Sequence, residues 1–309
     1  MSFPPEFRSL TVEAPAKINL FLDVLSKRDD GYHEIATVMQ SVGLCDRLKV
    51  SASRSEEFSV SVECAHPDFP RDGKDTVSAA ARAFAELCPF PLNIRVELEK
   101  RIPVRAGLGG GSADAAGTLF ALSAITGYPL DRKHLFAAAR SVGADVPFCL
   151  AGGLRVCRGA GEIMSDTLPV PGLFALIAKP PRGIPTGGAF AELDRLFGNF
   201  AAPRPDRLPD FVRSLEKIKA GRPPELYNVF ESVLPRLCTE SESLLSAIRE
   251  TTASAALSGS GSAVFGLYET EDAAREALRL VEERHPGCFT AVAPLCGSGP
   301  VPVNYCAEK

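Results

Sequence analysis

AGLGGGSADAAG, residues 106–117, sets four glycines into the five positions 107–111 and then runs into alanines. Glycine loses more backbone freedom on folding than any other residue, so a cluster this dense needs a compensating role. Two roles qualify: a tight turn, or a ligand that meets the main chain itself. The stretch is not a Walker A loop, because GxxxxGK[ST] needs a lysine after the glycines and none follows. Nor is it a dinucleotide fingerprint, because GLGGGS from Gly107 lacks the third glycine of GxGxxG. The residues that follow read as a helix. ADAAGTLFALSAI places Ala115, Leu119 and Leu122 near one face, with Ser112 as the N-cap. A glycine loop opening a helix gathers free N–H groups at the positive end of the helix dipole, an arrangement suited to phosphate. The plain alternative is a strained turn between a strand and an Ala-rich helix.

Upstream, the chain alternates in period two. In KINLFLDV, Ile18, Leu20, Leu22 and Val24 face one way, and Lys17, Asn19, Phe21 and Asp23 the other. RLKVSAS and FSVSVE alternate too, joined by a polar SRSEE turn, and LNIRVELE repeats the pattern. A largely antiparallel, half-buried sheet is expected. DTVSAAARAFAEL reads as a helix capped by Asp75, and DRKHLFAAARSV as another ended by Gly143. Pro169, Pro171 and Gly172 mark a boundary, dividing the chain into units 1–170 and 171–309. Beyond it come the strand LFALIA, mostly helices, the strand–loop–strand AALSGSGSAVFGLY, the helix TEDAAREALRLVEER and the strand CFTAVAPL. Residues 199–224, rich in Pro, Arg and Asp, are expected to form a surface excursion. Strands and helices do not alternate strictly, so the fold class is α+β.

The chain has 309 residues and a net charge of −4, with no basic run to neutralise a nucleic-acid backbone. Its nine cysteines include no CxxC pair, and Cys149 and Cys157 sit among apolar residues. Free thiols in a reducing cytosol are expected, without a zinc site. MSFPPEFRSL has no apolar core of a signal peptide, and no segment reads as a membrane span. A cytoplasmic protein with a small-molecule substrate is the expectation, with neither nucleic acid nor membrane as partner. Oligomeric state leaves no mark in the sequence.

IPVRAGLGGGSADAA resembles the phosphate loop of the GHMP kinases. PAKINLFLDVLSKRDDGYHEI and LSGSGSAVFGLY resemble that family's N-terminal and C-terminal motifs, in order and spacing. GADVPFCLAGG and KPPRGIPTGGAF add two matches, so the resemblance runs from about residue 14 to 268. It implies a ribosomal-S5-like N-terminal domain, a ferredoxin-like C-terminal domain, ATP and Mg²⁺. PAKINLxL followed by RxDGYHE is similar to the branch that phosphorylates the 2-hydroxyl of 4-diphosphocytidyl-2-C-methylerythritol, for non-mevalonate isoprenoid synthesis. Homoserine- and mevalonate-type members, and a non-catalytic nucleotide-binding module, stay open as alternatives.

Carried over position by position, the resemblance makes Asp145 the base for a substrate hydroxyl and Lys17 the cation beside it. A turn aspartate and a solvated strand lysine are the plain readings. Lys100, Pro103, Ala106, Gly107, Leu108, Gly109, Gly110, Gly111 and Ser112 are matched to ATP, Lys100 near adenine. Ser112 is also a candidate for the Mg²⁺ shell. Asn19, Thr186, Gly259, Ser260 and Gly261 are matched to the substrate. Tyr32 and Phe190 are expected to sandwich cytosine while His33 reads its hydrogen-bonding edge; a loop tyrosine, a surface histidine and a core phenylalanine are the alternatives. Two departures stand out. Ala113 replaces the usual second serine, and Asp75-Thr76 replaces the usual Asn-Leu near adenine.

Overall fold

Two long strands, β1 (Arg8–Lys27) and β2 (His33–Arg54), form the spine of the molecule. The computed structural model describes residues 8–70, 72–127, 131–170, 172–200, 204–215 and 222–303. The strands pair antiparallel from Arg8–Ala52 to Lys27–His33, with register shifts at Pro15/Ala16, Asn19/Phe21 and Val24/Ser26. Lys17 and Asn19 lie between the first two shifts, where irregular pairing re-aims side chains. The expected half-buried face is absent here: every residue from Ala14 to Val24 is buried. Both faces of β1 are covered, because Phe21 meets Phe211 at 5.1 Å and Tyr227 at 5.3 Å between ring centroids.

Next come β3 (Ser59–Cys64), α1 (Thr76–Ala85) and β4 (Leu92–Glu99). The expected hairpin of RLKVSAS with FSVSVE does not form. β4 inserts between them, antiparallel to β2 and parallel to β3. The physical reason is α1, which supplies the long crossover a parallel pair requires. Asp75 caps α1 as expected, accepting from Ser78 N at 2.7 Å.

The glycine loop leads into α2 (Gly110–Thr126), followed by α3 (Arg132–Val142), α4 (Val146–Ala151), β5 (Leu154–Gly159) and β6 (Ile163–Met164). Gly109 in the left-handed conformation, φ 70°, caps α2 without a side-chain bond. Ser112 is therefore not the N-cap; it stands in the first turn with its hydroxyl free of that duty. Gly117 lets α2 settle on the sheet, since a Cβ there would lie 3.1 Å from Leu48 and 3.3 Å from Ala14.

The second half contains β7 (Phe174–Lys179), α5 (Thr186–Leu196), α6 (Leu208–Ser214), β8 (Tyr227–Asn228), α7 (Leu234–Leu237), α8 (Thr239–Arg249), β9 (Ala255–Leu257), β10 (Val264–Tyr268), α9 (Glu271–Arg284), β11 (Phe289–Cys296) and β12 (Val301–Pro302). The strand order is β12-β1-β2-β11-β7-β10-β9. β11 joins the halves: Leu295 and Cys296 pair with β2, and Phe289 to Pro294 pair with β7. One core lies beneath α1 and α2 around Ile18, Leu48, Ile94 and Leu119. The other lies between β7, β10, α8 and α9 around Leu176, Val264, Leu244 and Val281.

The 199–224 excursion is less superficial than its composition suggests. Leu208 and Phe211 are buried, and Arg204 donates to the fully buried Asp23 of β1 at 2.5 Å. Residues 201–203 and 216–221 of that excursion lie outside the described residues, as does Pro171 of the expected boundary. Among the described residues no helix is long and apolar enough to cross a membrane.

Candidate active site

Two glycine loops from opposite halves of the chain meet at one point. The first is residues 106–111, leading into α2; the second is residues 258–262, between β9 and β10. Ala263 N donates to Ala106 O at 2.9 Å, and Ser258 Oγ donates to Gly107 O at 3.0 Å. A Cβ on Gly107 would lie 2.0 Å from the Ser258 carbonyl oxygen, so only glycine permits this approach.

Lys17 threads between the loops. Its N–H donates to Leu108 O at 2.9 Å. A Cβ on Gly109 would lie 2.9 Å from its Cγ, and one on Gly259 would lie 3.2 Å from its Nζ. Lys17 is thus not a solvated strand lysine; its side chain is 6% exposed. Its ammonium donates to Asn19 Oδ1 at 2.7 Å and lies 3.6 Å from Asp145 Oδ2. Asn19 is held in turn by Thr37 Oγ1 at 2.9 Å. Asp145 occupies the N-cap position of α4, with Pro147 in the first turn, but its carboxylate makes no capping bond. That carboxylate is 34% exposed, so it is open to a ligand as well as to Lys17.

Beneath the first loop lies a buried charge cluster. Lys100 Nζ donates to Asp114 Oδ2 at 2.7 Å and also to Asp46 Oδ2. Asp46 further accepts from Arg101 N at 2.6 Å and Ile102 N at 2.8 Å. Burial pushes the Asp114 carboxyl well above the ordinary carboxylate range, and its Oδ1 has no hydrogen-bond partner. Burial alone would lower Lys100, but the two carboxylates outweigh it and raise its pKa. The expected adenine role of Lys100 is therefore revised: its ammonium is committed to two carboxylates under Gly110. Thr76 Oγ1 donates to Gly111 O at 2.7 Å, so the departure at Asp75-Thr76 serves a helix cap and a loop contact.

At the other end of the cleft, Tyr32 stands 64% exposed beyond the Asp30-Gly31 turn. His33 is buried, not superficial. Its Nε2 lies 2.7 Å from Asp194 Oδ1, and Asp194 also accepts from Lys27 Nζ at 2.6 Å. Burial would raise the Asp194 pKa, but these two bonds outweigh it and hold the carboxyl below its usual range. Phe190 stacks on His33, with centroids 4.6 Å apart at 23°, and meets Phe230 edge-on at 4.9 Å. His33 thus covers one face of Phe190, and Tyr32 and Phe190 line the same cleft. Thr186 Oγ1 accepts from Ser260 Oγ at 3.3 Å, tying α5 to the second loop.

Lys17, Asn19, Lys100, Asp114, Asp145, Tyr32, His33, Phe190 and Asp194 border one cleft of about 940 Å³. Every residue matched above to ATP, substrate or catalysis lines it except Gly261, which backs onto Ile184 and Leu257 instead. A second hollow of about 980 Å³ shares Phe69, Pro70 and Asp75 with the cleft but touches none of the matched residues. Asp46, Asp114, Asp194 and Asn228 escaped the reading of the sequence. Asn228 Nδ2 donates to Leu257 O at 2.7 Å and Gly259 O at 2.8 Å, fixing the second loop. Among the described residues no cluster of three or more His, Cys, Asp or Glu is arranged to cage a metal ion.

Comparison with known proteins agrees with this geometry. Residues 75–153 match the model of the GHMP kinases N terminal domain, and residues 191–286 match that of the GHMP kinases C terminal domain. The protein of Moorella thermoacetica named 4-diphosphocytidyl-2-C-methyl-D-erythritol kinase is 36% identical over 282 residues, covering 90% of this chain and 96% of its own. The protein of the same name from Geobacter metallireducens is 34% identical, covering 93% of this chain and 99% of its own. A crystal structure of 4-(cytidine 5'-diphospho)-2C-methyl-D-erythritol kinase superposes with a TM-score of 0.77 at 34% identity, over 95% of this chain and all of the other. Homoserine kinase from Cytophaga hutchinsonii shares the fold, with a TM-score of 0.74 at 21% identity over 98% of this chain and 99% of the other. With both domain models matched and relatives of this likeness along nearly its whole length, the chain belongs to the GHMP kinases.

Proposed function

We propose that the protein transfers the γ-phosphoryl group of ATP to the 2-hydroxyl of 4-diphosphocytidyl-2-C-methyl-D-erythritol, a cytoplasmic step toward isoprenoid precursors. The carrying observation is the Lys17 ammonium 3.6 Å from the open carboxylate of Asp145, between two glycine loops. The names of the relatives supply the substrate. Asp145 accepts the hydroxyl proton as the oxygen attacks the γ-phosphorus, the bond to the leaving ADP breaks, and Lys17 offsets the charge on the moving phosphoryl group. Backbone N–H groups at the start of the 17-residue helix α2 receive the polyphosphate. On this reading unit 1–170 carries the phosphate loop, and unit 171–309 closes over it.

Mg²⁺ fits this donor set as an ion brought by the nucleotide. Such ions take one or two protein oxygens plus phosphate and water. Asp145, Ser112 and the unpartnered Asp114 Oδ1 are the oxygens on offer. When bound, the ion would neutralise phosphate charge.

The test is an ATP-consumption assay with the cytidyl substrate, run on wild type, Asp145→Asn and Tyr32→Ala. Asp145→Asn should lower turnover by about 10²–10⁴-fold while ADP binding persists. A single-turnover rate within about threefold of wild type would remove Asp145 from the mechanism. Tyr32→Ala should raise the dissociation constant for CDP roughly 5- to 150-fold, the worth of one stacked base face, and leave ADP unaffected. Unchanged CDP affinity would pass the cytidyl reading over to a homoserine- or mevalonate-type alcohol.

A further inference from the structure

Charge pairing across the cleft singles out one residue. Of the cations on its walls, Lys17 is engaged by Asn19 and Asp145, Lys27 by Asp194, Lys74 by Asp72, and Lys100 by Asp46 and Asp114. Arg105 lines the same cleft and is exposed, and among the described residues its guanidinium has no carboxylate, carbonyl or hydroxyl partner. Its backbone is also unusual. Arg105 has φ 52°, in the left-handed region that Gly107 and Gly109 enter freely and an arginine enters only at a cost.

The stem of Arg105 is directed by its neighbour. A Cβ on Gly183 would lie 2.8 Å from Arg105 Cβ and 3.7 Å from its Cδ. The side chain therefore runs over the bare backbone of the segment that leads into α5 and Thr186. It stands one residue before the first glycine loop and lines the cleft together with that loop and Thr186. A planar fork of N–H donors, free of carboxylates, is suited to two phosphate oxygens at once.

We propose that Arg105 is a phosphate-binding residue, whose guanidinium closes on the oxygens of a diphosphate-bearing ligand in the cleft. This rests on the kinase reading, and two ligands of that reading carry the required chemistry: the nucleotide and the cytidyl acceptor. Calorimetry with ADP, CDP and cytidine separates them, on wild type, Arg105→Asn and Arg105→Lys. Asparagine tolerates the left-handed backbone, so Arg105→Asn removes the charge without straining the loop and should melt where wild type melts. It should weaken ADP, CDP or both by about 10- to 100-fold, and Arg105→Lys should recover part of that loss. A loss confined to ADP assigns Arg105 to the nucleotide, and a loss confined to CDP assigns it to the acceptor. Both affinities within about twofold of wild type, or an equal loss for phosphate-free cytidine, would overturn the proposal. If wild type binds ADP but not CDP, the cytidyl reading falls while the ADP arm still decides Arg105. If wild type binds neither, Arg105 falls with the kinase reading.

Discussion

The two glycine loops are alike in composition and differ in exposure. Residues 107–111 leave backbone amides at a helix start facing a cleft, with Gly109 itself capping the helix. Residues 258–262 are buried throughout; Asn228 holds this loop from behind and Gly107 packs against its front. In the first loop the absent side chains make room for Ser258, Lys17, Ile102 and Thr76, while the loop's outer backbone stays bare to the cleft. In the second they make room for Gly107, Lys17, Ile184 and Leu257. A glycine-rich motif thus does not by itself mark a binding surface; whether its backbone stays exposed once the missing Cβ atoms have let the neighbours in decides the matter.

Substitutions can push this contrast until it fails. Gly107→Ala should be the most damaging, because its Cβ would meet the Ser258 carbonyl at 2.0 Å and its φ is 76°. A backbone cannot yield as a side-chain tip can, so a loss of about 3–5 kcal/mol is expected by denaturant titration. A melt near that of wild type would show that the loops part easily. Asn228→Ala should come next, at about 2–3 kcal/mol, since it leaves Leu257 O and Gly259 O without their donor. That variant should lose stability with little change in ADP affinity per folded molecule, which calorimetry on the native fraction measures. Gly110→Val should be mildest in stability and clearest in binding. Its Cβ points beneath the loop, 3.1 Å from Ile102 and 3.3 Å from the Lys100 ammonium, so it should lift the amides out of register. ATP affinity should fall about tenfold, or about 1.4 kcal/mol. Unchanged ATP affinity in Gly110→Val would reduce the first loop to a turn.

How far the sequence reaches follows from where each residue's partner lies. The helix opened by the glycine loop and the Asp75 cap are legible because each is set within a few residues. His33 is not, since the carboxylate that holds it is Asp194, 161 residues away. Lys100 looks like a strand-end lysine until Asp46 arrives from β2 and Asp114 from α2. Ser112 reads as the cap because hydroxyls usually cap helices, yet the left-handed Gly109 does so without a side chain. The register of β3 was illegible for another reason. Alternation tells which face of a strand is buried but not which neighbour it joins, and β4 lies far along the chain. Arg105 hid at the edge of the motif, one residue before the loop whose glycines draw the eye.

The pairing of β12 with β1 has a consequence for synthesis. Val12 lies opposite Pro302, and Val303 N donates to Thr11 O at 2.8 Å, so the first strand finds its outer neighbour about 290 residues later. At about 5–20 residues per second, a ribosome needs roughly 15–60 s to close that gap. Tyr227 and Asn228 of β8 cover Phe21 and Leu22 sooner, but until β12 emerges the edge at Val12 and Glu13 is unpaired, and β2 waits for Leu295 and Cys296 of β11. The first glycine loop waits for Ser258 and Ala263, and the sheet waits longer, for residues 301–303. Chaperone dependence should accordingly concentrate in the interval between the emergence of β2 and that of β12, while β1 carries an open seam.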